Sequence, residues 1–266
     1  MSAIADTNDP LTISGTTFTS RLMVGTGKYR SVDDMTAALD ASGAQIVTVA
    51  LRRIDFDDRN QRSILDDIDW RRYTILPNTA GCRTADEAIR IARMARALSL
   101  SDWIKLEVIP DPTHLLPDPV GTFEAARQLI AEGFTVLPYI GADPVLATSL
   151  QAIGTATVMP LGSPIGSGQG LLNAEAIKLI VQQATVPVVV DAGIGVPSDA
   201  ALAMECGADA CLINSAIALA DRPAQMAAAM ARGVEAGRLA YRAGRMEARP
   251  TASASSPLRG LVGSSA

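Results

Sequence analysis

Two charges interrupt an apolar run in Trp103-Ile104-Lys105-Leu106-Glu107-Val108-Ile109. Strand alternation sends Ile104, Leu106 and Val108 to one face and Lys105 and Glu107 to the other. The two charges lie roughly 6.6 Å apart along the strand, with Glu107 nearer its C-terminal end. If their face is an interior, desolvation pushes the lysine pKa down. Free amine is then available to attack a carbonyl and form an imine, while the carboxylate shuttles protons. The competing reading is an internal ion pair serving architecture, and this strand alone leaves both open. A third charge, Asp191, ends Val186-Pro187-Val188-Val189-Val190 and precedes Ala192-Gly193-Ile194-Gly195. An Asp after a strand is often only a turn or cap residue. Together with an inward-facing lysine it shifts the balance to catalysis.

Two nearby segments have the composition of phosphate sites: residues 192–195, and Asn214-Ser215-Ala216 at the expected start of a helix. Residues 162–170 carry four glycines in nine positions and are expected to close over a substrate. The single His114 lies in the Pro-rich stretch Asp111-Pro112-Thr113-His114, where a loop-packing role is expected. With one histidine, multi-histidine metal sites are excluded. The three cysteines, Cys82, Cys206 and Cys211, have neither CxxC spacing nor an even count, so no zinc site or disulfide framework is expected and a reducing cytoplasm is.

These residues need a frame, and the chain repeats one. An apolar, β-branched run is followed by a loop, a capped amphipathic helix and a stopping glycine. Gly43, Gly133, Gly154 and Gly207 are the clearest stops. Ser31 with Asp34, and Thr84 with Glu87, have capping-box spacing. Asn173 stands before a helix with Ile177, Ile180, Val181 and Ala184 on one face, and Ala88, Ile91, Ala92, Ala95 and Leu98 share another. Strands are predicted near 21–25, 45–51, 74–78, 103–109, 134–139, 156–161, 186–191 and 210–214, with a last helix near 223–242. Eight alternating β and α units predict an α/β fold, a single-domain (β/α)8 TIM barrel of parallel strands. An open doubly wound sheet is disfavoured because Gly25-Thr26-Gly27-Lys28-Tyr29-Arg30 lacks the third glycine of a dinucleotide loop. The barrel domain is expected over 11–244, with a flexible 1–10 and a disordered tail over 245–266. Residues 11–19 alternate around Ser14-Gly15, as a hairpin covering the barrel bottom would.

Composition excludes other classes. The net charge is -5, and the pairs Arg52-Arg53 and Arg71-Arg72 are too scattered to make a basic footprint, so nucleic-acid binding is not expected. Aromatics are only 4%, against 48% apolar residues overall, which suits a core of aliphatic strands and helices. No basic and apolar leader opens the chain, and no window approaches about 18 uninterrupted apolar residues, so no membrane association is expected.

Four motifs agree in order and spacing with a known family: Leu76-Pro77-Asn78-Thr79-Ala80-Gly81-Cys82, the Lys105 strand through Val108, the run from Met159 to Gly168, and the run from Val190 to Ser198. They resemble the bacterial thiazole synthases of vitamin B1 biosynthesis, and the likeness runs from about Leu11 to Gly244. The resemblance implies condensation of 1-deoxy-D-xylulose 5-phosphate, dehydroglycine and sulfur from a sulfur carrier protein's C-terminal thiocarboxylate. It implies a Schiff base on Lys105, general acid/base roles for Glu107 and Asp191, and sugar-phosphate contacts at Gly166, Ala192, Gly193, Asn214 and Ser215. It also implies a homotetramer, an enzyme supplying dehydroglycine as a further partner, and no metal or organic cofactor. The family commonly has Asn-Thr-Ala where this chain has Asn214-Ser215-Ala216, and serine keeps the hydroxyl. The rival readings are another lysine-imine barrel acting on a sugar phosphate, of class I aldolase or pyridoxal phosphate synthase type, and a non-catalytic docking scaffold for the carrier.

Overall fold

The computed structural model describes residues 9–50, 68–69, 71–98, 101–253 and 255. Much of the expectation for the two chain ends, and the Arg52-Arg53 pair, lies outside the described residues.

The first element is an antiparallel hairpin, β1 (Leu11–Ile13) and β2 (Thr16–Phe18), joined through Ser14 and Gly15. Both turn residues have positive φ, 46° and 78°, the conformation whose twist matches a two-residue hairpin. Leu11, Ile13 and Phe18 are buried against Met23, Ile46, Leu76, Leu137, Met159, Val189, Ala210 and Leu212, the inward residues of the larger sheet. The hairpin is therefore a plug. Its Phe18 ring meets Trp103 edge to face at 6.0 Å. Asp9, just before it, accepts from Arg238 at 2.7 Å and pairs with Arg21 at 2.9 Å, tying the plug to the barrel wall.

The wall is β3 (Leu22–Gly25), β4 (Ile46–Ala50), β5 (Thr74–Asn78), β6 (Trp103–Leu106), β7 (Thr135–Ile140), β8 (Met159–Pro160), β9 (Val189–Asp191) and β10 (Ala210–Ile213). All pair in parallel in the order β8-β7-β6-β5-β4-β3-β10-β9. Parallel bridges Val158–Val188 and Leu161–Asp191 bring the two ends together, so the eight strands form the expected (β/α)8 barrel. Around it lie α1 (Val32–Ser42), α2 (Ala85–Ala97), α3 (Pro119–Ala131), α4 (Pro144–Ala152), α5 (Ala174–Gln183), α6 (Pro197–Glu205), the short α7 (Ser215–Ala218) and α8 (Pro223–Ala243). Among the described residues no helix is long and apolar enough to cross a membrane.

Local chemistry explains the boundaries. The Ser31 hydroxyl accepts from Asp34 N at 3.0 Å, and the Thr84 hydroxyl from Glu87 N at 3.3 Å. The four stopping glycines all have positive φ. Asn173 stands directly before α5 as expected, without a side-chain cap bond. Two expectations need correction. Leu98 is the C-cap of α2 and 43% exposed, so the buried face ends at Ala95 and consists of Ala88, Ile89, Ile91, Ala92 and Ala95. β6, β8 and β9 are shorter than predicted: β6 ends at Leu106, just before Glu107, β8 spans only Met159–Pro160 with single bridges at Val158 and Leu161 on either side, and β9 begins at Val189.

Alternation divides the core in two. Ile104, Leu106 and Val108 face α2 and α3 as predicted, among Ala88, Ala92, Ala125 and Leu129. Inside the ring an apolar layer rests on the plug, and the next inward positions along the strands are Thr48, Asn78, Lys105, Tyr139 and Asp191. Polar groups thus stand above an apolar floor, at the C-terminal end of the barrel.

Candidate active site

The Lys105 ammonium lies 2.5 Å from Asp191 Oδ2 and 3.3 Å from Glu107 Oε1. All three side chains are almost fully buried, at 7%, 4% and 6% exposed respectively. β6 and β9 carry them from separate arcs of the ring, and only closure of the barrel brings them together. Glu107 is held from outside the strand. The Thr79 hydroxyl accepts from Glu107 N and donates to Glu107 O, both at 2.7 Å, while Thr79 N donates to Lys105 O at 3.1 Å. Thr79 thus extends the β5–β6 pairing past the last strand residue and fixes the backbone on either side of Glu107.

The electrostatics correct one expectation. Burial pushes the Lys105 ammonium down, but Asp191 and Glu107 together outweigh it and hold the group above the ordinary lysine range. Lys105 rests as an ammonium and must hand a proton to a carboxylate before it can act as a nucleophile. Burial raises the Glu107 carboxyl above the usual glutamate range; Lys105 opposes this shift, and repulsion from Asp191 adds to it. A carboxyl raised in this way suits proton exchange near neutral pH better than an ordinary glutamate does.

Above this triad is a cavity of about 610 Å³, of a size usual for small-molecule sites. Lys105, Glu107 and Asp191 line it, and so do Gly166, Ala192, Gly193, Asn214 and Ser215, so the three expected catalytic residues and the five expected sugar-phosphate contacts meet in one place. Ala192 and Gly193 are successive left-handed residues, φ 64° and 79°, directly after Asp191. For Ala192 this conformation is strained, a cost found most often at functional sites. Residues 162–170 lie folded against this turn. Gly162 N donates to Asp191 O at 3.1 Å, and Gly170 N to Gly193 O at 2.8 Å. The glycines here permit close contact between the two backbones.

Asn214 serves a purpose its motif did not reveal. With its amide nitrogen turned to the loop after β3, it donates to Gly25 O and Gly27 O, each at 3.0 Å. His114 is exposed and bonded to its neighbour Asp111 at 2.8 Å, away from the cavity lining. Among the described residues no group of three His, Cys, Asp or Glu side chains is placed to hold a metal ion. Sequence reasoning passed over three residues. Thr79 and Tyr139 read as ordinary strand-end and core positions, and Lys28 as a loop charge. Tyr139 is fully buried, its ring centroid 5.6 Å from Lys105 Nζ, and its hydroxyl has no partner among the described residues.

Fold and site together define a barrel enzyme with a lysine between two buried carboxylates at the base of a small-molecule cavity. The family model for "Thiazole biosynthesis protein ThiG" matches residues 12–257. A thiazole synthase of Synechococcus sp. (strain CC9902) is 58% identical over 98% of both chains. The bifunctional protein ThiO/ThiG of Synechocystis sp. (strain ATCC 27184 / PCC 6803 / Kazusa) is 59% identical over 96% of this chain and 40% of its own length. A chain in the solved Amycolatopsis orientalis BexX/CysO complex is 36% identical, with a TM-score of 0.82, over 92% of this chain and all of that one. The chain belongs to the ThiG family of thiazole synthases, enzymes of thiamine thiazole biosynthesis.

Proposed function

We propose that this enzyme condenses 1-deoxy-D-xylulose 5-phosphate, dehydroglycine and the sulfur of a carrier-protein thiocarboxylate, through an imine on Lys105. The observation that carries the reading is the buried Lys105 ammonium between Glu107 and Asp191 at the base of the cavity. A carboxylate takes the ammonium proton, and the amine nitrogen adds to the ketone carbon of the sugar. The carbinolamine oxygen leaves as water after protonation, giving the C=N bond. Removal of the neighbouring carbon's proton and reprotonation at the former ketone carbon place a carbonyl on that neighbour. The thiocarboxylate sulfur adds there, the former carbonyl oxygen leaves as water, and hydrolysis of the carrier's acyl–sulfur bond releases the carrier as its carboxylate with the sulfur left on the sugar. Glu107 and Asp191 carry the protons, with Thr79 holding Glu107 in register. Gly166, Ala192, Gly193, Asn214 and Ser215 hold the sugar phosphate at the other end of the cavity.

The BexX/CysO complex supports a carrier-protein partner, and the ThiO/ThiG chain supports a partner enzyme working beside this one, to which we assign dehydroglycine supply. The family resemblance adds a homotetramer, and the three free, buried thiols suit a cytoplasmic setting. Mixing purified protein with the ketose phosphate, dehydroglycine and carrier thiocarboxylate tests the reading. The thiazole phosphate carboxylate is expected by mass. Cleavage of the sugar without a sulfur-containing product would place the chain with aldolase-type barrels instead.

A further inference from the structure

The loop after β3 brings a lysine to the cavity that no part of the mechanism uses. Lys28 lines the same cavity as Lys105. Its φ of 72° is left-handed, an uncommon conformation for a non-glycine residue outside functional turns. The backbone on its N-terminal side is fixed. Thr26 donates to Thr48 O through both its amide, at 3.2 Å, and its hydroxyl, at 3.0 Å, and Asn214 clamps the Gly25 and Gly27 carbonyls. A β-carbon built on Gly166 would stand 3.2 Å from Lys28 Nζ and 3.7 Å from Ser215 Oγ, so an ammonium and a hydroxyl converge within 4 Å of one point.

The charge balance gives that point a purpose. Among the described residues lining the cavity, the charged groups are Lys28, Lys105, Glu107 and Asp191. Lys105 is already paired with both carboxylates, so the base of the cavity repels a phosphate dianion. Lys28 makes no ion pair or hydrogen bond among the described residues, and it is the remaining cation. We infer that Lys28 is the phosphate-recognition residue: with Ser215 it holds the phosphate of the ketose at the mouth and so directs the carbonyl end down to Lys105. The inference rests on the imine reading and names the group that orients its substrate. Through its clamp on Gly25 and Gly27, Asn214 also positions the loop that carries Lys28.

The test compares Lys28→Gln with the parent using two ketoses, 1-deoxy-D-xylulose 5-phosphate and its unphosphorylated counterpart, by borohydride trapping at increasing sugar concentration. Loss of one charge-assisted contact is expected to raise the half-saturating concentration of the phosphorylated sugar about 10- to 100-fold. The value for the unphosphorylated sugar should stay unchanged, and Lys28→Arg should recover most of the loss. An equal change for both sugars, or none for the phosphorylated one, overturns the inference. Calorimetric binding of inorganic phosphate reads the same site without an imine, and Lys28→Gln should weaken it by at least several-fold. If no adduct forms on the parent protein, the imine reading fails while the phosphate measurement still decides the role of Lys28. Absence of phosphate and sugar-phosphate binding to the parent counts against that role.

Discussion

Lys105 and Asp191 stand 2.5 Å apart, though β6 and β9 are separated around the ring by β7 and β8. Neither strand specifies the other's charge. The contact exists because the barrel closes and the apolar layer over the hairpin plug leaves the next inward positions as the first place polar groups can go. The pair sits where water is excluded from below and substrate enters from above, so the charge that stabilises the empty site is also the proton source for chemistry.

Replacing Glu107 with Gln separates these two effects. The Glu107 carboxyl is raised above its unfolded range, so the folded protein holds its proton more tightly than the unfolded chain does. Its contribution to stability is present below a pH of about 4.5 and is lost as pH rises through the folded value. Denaturant melts from pH 4 to 8 should show the parent losing stability relative to Glu107→Gln with rising pH. Turnover of the variant should fall by about 10²- to 10⁴-fold. A parent that gains on the variant as pH rises would show that Glu107 is present for stability.

Lys105→Ala removes the cation and leaves two buried carboxylates facing each other. Breaking a buried pair in this way costs roughly 3–5 kcal/mol. The deficit should be largest near neutral pH and shrink on acidification, as the stranded carboxyls take up protons, while circular dichroism still reports a folded barrel. A deficit independent of pH would mean that the carboxylates are not buried together in solution.

Two glycine substitutions distinguish a backbone constraint from a contact constraint. At Gly43 φ is 62° and a β-carbon would meet nothing within 4 Å, so Gly43→Ala should lower stability by roughly 1–2 kcal/mol and leave activity intact. At Gly193 φ is 79° and a β-carbon would fall within 2.5 Å of the Ser163 backbone nitrogen. Gly193→Ala must push residues 162–170 away from the turn after Asp191. A loss of substrate affinity at least tenfold beyond any effect of Gly43→Ala is expected, roughly the 1.4 kcal/mol of one misplaced contact. Equal kinetics for the two variants would contradict this packing.

Tyr139→Phe removes a buried hydroxyl that has no partner among the described residues. A group that gives up hydration without gaining a hydrogen bond contributes nothing to the empty protein, so the thermal midpoint of the variant should match or exceed that of the parent. A drop of several degrees would mean the hydroxyl is bonded in solution.

The sequence made some of this architecture plain and concealed the rest for identifiable reasons. Gly43, Gly133, Gly154 and Gly207 mark helix ends by a local backbone requirement, and from them the eight strands could be placed. Lys105, Glu107 and Asp191 were visible because a charge within an apolar alternating run is costly. Tyr139 obeys the same alternation but is apolar enough to read as core, and Thr79 acts on Glu107 through a strand pairing that exists only in the barrel. Lys28 sits in a loop, where no periodicity distinguishes a contact from a solvated side chain, and the clamp of Asn214 on Gly25 and Gly27 joins segments far apart in the chain. The direction of the Lys105 shift was equally hidden. Desolvation follows from position on a strand, whereas the opposing pull depends on how closely two carboxylates approach.

The central claim is that Lys105 forms the imine, and the chain suits a direct test because it has only three lysines, Lys28, Lys105 and Lys178. Lys178 is half-exposed on α5 and paired with Glu175. Incubation with 1-deoxy-D-xylulose 5-phosphate, reduction with borohydride and peptide mass mapping should find the sugar adduct on Lys105, and none in Lys105→Ala. An adduct confined to Lys28 or Lys178, or no adduct at all, would contradict the account.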